Sequence, residues 1–198
     1  MNKFYLIKNS ECFQGEKYLN KNKNYFEGWY FKNVCNDKGI SFIPGINSNG
    51  KDKKAFIQVI TNNMSYFVNY DIDYFSFNAD PFYIKIKDNY FSKEKIHINI
   101  IDVMQNIRIN GDIKYINSKN ISVNKLNPNI MGPFSYIPFM ECNHAILSMK
   151  NTAIGEIKIN DDIIKFDCGT GYIEKDWGCS FPKSYLWCQG NNFKIKNA

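Results

Sequence analysis

GTGYIEKDWGCSFP, residues 169–182, decides how this chain is read. In an extended backbone side chains alternate between faces, so Tyr172, Glu174 and Asp176 share one face and Ile173, Lys175 and Trp177 the other. Same-face neighbours on a strand lie roughly 6.5 to 7 Å apart, near enough for one carboxylate to raise the pKa of the next where water is excluded. Such an acid would hold its proton at neutral pH. The same pattern also describes the polar outer face of an edge strand ending in a glycine bulge.

The flanking sequence reads as strands. YFEGWYFK (25–32) sets Phe26, Gly28, Tyr30 and Lys32 against Tyr25, Glu27, Trp29 and Phe31, which suits a strand covered on both sides or one lining a cavity. Gly28 allows close approach to the backbone there, although a bulge is an alternative reason for a strand glycine. Short alternating runs follow at 55–60, 65–70, 72–77, 82–87 and 96–103. Asn110-Gly111 between two apolar runs predicts a tight hairpin. Residues 39–54, with Pro44, Gly45 and Gly50, read as a turn-rich loop, and 127–138, with three prolines, as a breaker region. Residues 140–149 form a strand carrying His144, and the segments 154–159 and 163–166 form a hairpin. Residues 184–190 (SYLWCQG) read as one more strand. No segment keeps a helical period. The fold class is therefore all-β, an antiparallel meander of about ten strands closing into a barrel; residues 1–24 form a polar lead-in and 25–198 the barrel domain.

Composition narrows the function classes. The 16 Phe and 13 Tyr favour pleated surfaces and suit an apolar ligand. The net charge of +6 comes from lysines scattered among Asn and Ile, with Arg108 the single arginine, so it marks no nucleic-acid face. The six cysteines form neither a CxxC nor any Cys/His metal spacing, and no phosphate-binding loop is present. The expectation is no cofactor and no metal. Residues 1–8 lack the apolar run of a signal peptide, and no apolar stretch reaches a spanning length, so the reading is a cytoplasmic protein with free thiols and no integral membrane segment.

Together, YFEGWYFK (25–32), MECNHAILSM (140–149), GYIEKDWGCSFP (171–182) and SYLWCQGNNF (184–193) resemble the tocopherol cyclase family. The resemblance runs from about residue 25 to the end. It implies a lipocalin-like β-barrel, distantly similar to carotenoid 1,2-hydratases and usually built as two barrels. Cyclases of this kind protonate the side-chain double bond of a prenylated hydroquinone and trap the cation with a phenol oxygen. On that analogy the chain ends at Ala198 before a second barrel is complete, and an exposed strand edge at 184–190 would favour homo-oligomers.

The resemblance implies a role for each candidate residue. Asp176 is the first choice for the proton donor and Glu174 the second, with His144 orienting the acid or accepting the phenol proton and Tyr172 beside them. Trp29, Tyr30, Tyr172 and Trp177 offer aromatic faces to a cation, and Glu27 and Trp187 join the substrate-binding set. The partner is an apolar or prenylated aromatic small molecule. Two other readings stand beside the cyclase: a noncatalytic carrier of an apolar molecule, which needs no acid pair, and a hydratase adding water to an isoprenoid alkene. They turn on whether Tyr172, Glu174 and Asp176 or Ile173, Lys175 and Trp177 face the cavity.

Overall fold

The computed structural model describes residues 10–19, 21, 23–137 and 140–190. Its strands are β1 (Tyr25–Cys35), β2 (Lys38–Asn49), β3 (Asp52–Thr61), β4 (Ser65–Asp71), β5 (Phe75–Ala79), β6 (Phe82–Ile86), β7 (Asn89–Phe91), β8 (Lys95–Asp102), β9 (Ile107–Lys119), β10 (Cys142–Ile159) and β11 (Asp162–Gly178). They form one antiparallel sheet in the order β4-β3-β2-β1-β11-β10-β9-β8-β7-β6-β5. Every neighbouring pair is consecutive in sequence except β1 and β11. The all-β meander thus curls into a nearly closed barrel whose first and last strands zip together. Its free edges are β4 and β5, joined by the short 3-10 turn Ile72–Tyr74. Among the described residues, no helix is long and apolar enough to cross a membrane.

Three local expectations are corrected. The turn-rich loop at 39–54 is mostly strand β2, with the turn confined to its far end. The β1–β2 ladder steps from Gly28↔Gly45 to Phe31↔Phe42, and Pro44, which has no N–H to give, sits in that interruption. No hairpin forms at Asn110-Gly111, because β9 runs straight through it. Gly111 instead occupies φ +145°, packed so tightly on the Glu156 carbonyl that a Cβ would collide with it, the use of glycine at a bulge or close backbone approach. The third correction is at 184–190, which is irregular rather than a strand. β11 already pairs with β1 on one side and β10 on the other, so no edge beside it is left to pair.

The barrel is filled. Trp29, Phe31, Phe42, Phe91 and Phe166 are fully buried, with isoleucines from β2, β3, β6 and β8 packed among them, as expected of small barrels with bulky inward residues. The two halves of the sheet differ outside. β8 and β9 alternate buried and exposed residues, whereas β1, β2 and β3 keep half-buried residues on their outer faces.

Part of the expected lead-in belongs to the barrel. Lys21, Lys23 and Asn24 are exposed as a solvated run would be, but Ser10 and Cys12 are buried, and Phe13 packs its ring 5.3 Å from that of Phe75. This strap meets a buried charge. The Lys175 ammonium, fully enclosed, pairs with Glu27, donates to the Ser10 and Cys12 carbonyls at 2.8 and 2.6 Å, and lies over the rings of Trp29 and Trp177 at 4.9 and 4.6 Å. Glu27 also accepts hydrogen bonds from Gln14 N–H and the Tyr25 hydroxyl. Burial pushes the Lys175 ammonium below its ordinary pKa, and the Glu27 charge and hydrogen bond oppose that. Breaking a buried pair by removing one partner costs about 3–5 kcal/mol, whereas replacing both by apolar groups costs far less. Glu27→Gln is therefore expected to lower the urea midpoint sharply, and Glu27→Leu combined with Lys175→Met to regain most of it. An unchanged midpoint for Glu27→Gln would mean that the pair adds nothing to stability.

Candidate functional site

β11 carries the site because its alternation is strict over residues 172–177. Ile173, Lys175 and Trp177 turn inward, and Tyr172, Glu174 and Asp176 turn to the outer face of the barrel. There, β1 places Lys32, Tyr30 and Gly28 opposite them in register, and β10 places Ile146 and His144 opposite Glu174 and Asp176. The irregular segment after β11 lies over this face. Phe181 stacks on Phe26 at 4.5 Å, Trp187 meets Tyr30 edge-on at 6.2 Å, and Lys32 donates to the Gln189 side-chain carbonyl at 2.8 Å.

Four polar side chains link under this cover. The Tyr172 hydroxyl donates to Glu174 Oε2 at 2.6 Å, His144 Nδ1 bonds Asp176 Oδ1 at 2.7 Å, and His144 Nε2 stands 3.8 Å from Glu174 Oε2. The His144 main-chain N–H donates to Met131 Sδ at 3.1 Å. Burial works to lower the His144 pKa, but the Asp176 hydrogen bond and charge, with Glu174, outweigh it and hold the imidazolium above its usual range. Glu174 is 5% exposed. Burial raises its carboxyl above the ordinary value despite the opposing Tyr172 hydrogen bond and His144 charge, and the Asp176 charge adds to the rise. Two acids on one strand face therefore have different surroundings: Asp176 bonds His144 and favours its charged form, while burial shifts Glu174 toward its neutral form. Burial, then the hydrogen bond and charge of Glu174, raise Tyr172 so that it remains a phenol.

Two hollows flank Trp187, which lines both. The larger, about 520 Å³, is walled by Ile43, Phe56, Ile60 and Phe67 of β2–β4, floored by Gly28 and Tyr30, and edged by Glu174 and Asp176. The smaller, about 310 Å³, takes Ile130, Ile146 and Met149 on one side and His144 and Tyr172 on another. A third hollow of about 460 Å³ gathers turn residues such as Asp37, Asn62 and Asp162, none of them from the 172–176 stretch. Among the described residues no group of three or more His, Cys, Asp or Glu side chains could hold a metal ion.

The sequence candidates thus divide by face. Asp176, Glu174, His144, Tyr172, Tyr30 and Trp187 come together outside. Glu27, Trp29 and Trp177 lie on the inner face, where Glu27 and Trp29 are fully buried and serve the Lys175 enclosure, so the side chains of these three do not reach either outer hollow. Sequence reasoning missed Ile43, Phe56, Phe67 and Phe181. The signal for Phe56 was the near-continuous apolar run AFIQVI (55–60), which marks a strand covered on both faces.

Residues 118–198 match the tocopherol cyclase-like family. That span holds His144, Tyr172, Glu174, Asp176 and Trp187, while YFEGWYFK (25–32) lies outside it. Among solved structures, "Crystal structure of CghA with Sch210972" aligns with a TM-score of 0.49 and 6% identity over 79% of this chain and 46% of that chain. "Crystal structure of CghA" aligns at 0.45 and 8%, over 80% and 47%. The chain spans less than half the length of these structures. No curated protein matches it.

The electrostatics predict a pH response of definite sign. Both His144 and Glu174 have folded pKa values raised above their ordinary ones, so folding takes up protons at each, and the stability they contribute is complete below the unfolded values and lost as pH rises through the folded ones. Glu174 acts in the window just above the ordinary carboxylate range and His144 in that just above the ordinary imidazole range. Nuclear magnetic resonance titration should place His144 above the free-histidine value, near 6.5, and Asp176→Asn should bring it down. A His144 titration unmoved by Asp176→Asn would refute the pairing.

Proposed function

We propose that the outer groove binds a prenylated phenol or a related isoprenoid and that Glu174 protonates its side-chain double bond, after which the phenol oxygen closes a ring on the tertiary cation. The observation that carries this reading is a buried carboxyl, biased to its neutral form, at the wall of an apolar groove. The tocopherol cyclase-like match over residues 118–198 supports the same reaction class. Glu174 replaces Asp176 as the preferred donor, since Asp176 is engaged by His144. A protonated acid near the working pH is the effective general acid, and Tyr30 and Trp187, which line the same hollow, would offer aromatic faces to a cation. The reaction is an isomerisation, so no redox partner enters its balance.

Two other outcomes have a specific motive. Tyr185 and Trp187, which wall the larger hollow, are themselves well exposed, and water reaching the cation would divert it to a tertiary alcohol, the hydratase outcome. A filled barrel with an open outer groove also suits a carrier. Dimethylallyl-hydroquinone, followed by chromatography with binding read from tryptophan fluorescence, separates them. Wild type should yield the chromanol. Glu174→Gln should lose about 10²–10⁴-fold in rate, the usual worth of a general acid, while still binding. Asp176→Asn should lose less, because it acts through His144. Full turnover by Glu174→Gln would make the acid assignment wrong, a tertiary alcohol would favour the hydratase, and binding without conversion would favour the carrier.

A further inference from the structure

We infer that Tyr172 is the proton shuttle that recharges Glu174, with the ring of the substrate in the smaller hollow and its isoprenoid chain in the larger. This rests on the proposed cyclisation. The walls divide by chemistry: the larger hollow offers Ile43, Phe56, Ile60 and Phe67 to a hydrocarbon chain, and the smaller offers the Tyr172 hydroxyl and the His144 imidazole to an oxygen-bearing ring. The 2.6 Å Tyr172–Glu174 hydrogen bond passes from one hollow to the other beside Trp187, which lines both.

The proton count closes through this bond. Glu174 gives its proton to the alkene carbon, forming a C–H bond and a tertiary cation and leaving a carboxylate. The phenol oxygen then forms the C–O bond to the cation as its O–H bond breaks. Its proton passes to the Tyr172 oxygen while Tyr172 passes its own to Glu174 Oε2, so the acid is restored and nothing is drawn from solvent. His144 is unsuited to this step. Its Nδ1 is committed to Asp176 and its Nε2 lies 3.8 Å from Glu174, beyond hydrogen-bond reach. Tyr172, kept a phenol by burial and by Glu174, takes one proton only as it releases another.

Rapid-quench kinetics with dimethylallyl-hydroquinone tests the shuttle. In Tyr172→Phe the phenol proton released on ring closure goes to water instead of to Tyr172 and leaves Glu174 a carboxylate, so the ratio of later turnovers to the first should fall about tenfold or more against wild type, within the usual worth of a proton-transfer group. Acetic acid added at constant pH should restore later turnovers by recharging Glu174 from solvent. Thermal unfolding of Tyr172→Phe checks that the variant is folded. If the ratio is unchanged while Glu174→Gln is inactive, the shuttle is wrong and the acid assignment survives. If first and later turnovers fall alike with no rescue by acetic acid, Tyr172 only supports the site and the shuttle is again overturned. If wild type converts no substrate, or Glu174→Gln retains full turnover, the cyclisation reading falls and the shuttle with it.

Discussion

The antiparallel ladder between β1 and β11 is the constraint on which the rest depends. It joins the first and last strands of an otherwise sequential meander, and without it the sheet is an open ribbon. The ladder sets Glu27 beside Trp177 and Trp29 beside Lys175, giving one side an ion pair enclosed by indole rings. By the same alternation it sets Tyr30 beside Glu174 and Gly28 beside Asp176, giving the other side an acid pair next to an aromatic wall. One register therefore fixes both the buried charge that organises the inside and the polar network outside; a one-residue slip would exchange the two faces.

The division of labour between the outer acids follows from their neighbours. Asp176 meets a histidine ring nitrogen and keeps partial access to solvent, while Glu174 meets a phenol and an indole and is shut away from it. Identical chemistry two residues apart is thereby set in two different environments, the pattern by which paired carboxylates acquire different tasks. The histidine couples them: its charge opposes the rise in Glu174 without cancelling it.

Much of this was legible in the residues. The period of two in GYIEKDW separates Tyr172, Glu174 and Asp176 from Ile173, Lys175 and Trp177, and YFEGWYFK announces a strand with two covered faces. What the pattern withholds is which face is inside, because aromatic residues lie on both. That is settled by a nonlocal pairing: a lone lysine inside a barrel is untenable unless Glu27 and two carbonyls from the strap meet it. The irregular course of SYLWCQG was illegible for a similar reason, since strand propensity cannot reveal that β11 has no free edge. Pro44-Gly45 and Asn110-Gly111 misled in the other direction. Their usual turn chemistry yields where a long strand needs an interrupted ladder or a close backbone approach.

The joining of β1 to β11 also has a kinetic side. The strands β1 and β11 lie near opposite ends of the described chain, so their contacts are among those of longest sequence separation in the fold, and such contacts carry a high loop-closure cost and form slowly. During synthesis, Phe26, Tyr30 and the apolar outer faces of β2 and β3 emerge long before β11 and the segment that covers them. The nascent chain therefore carries an uncovered apolar surface through most of its elongation, and the acid network is assembled only once the final strand has docked.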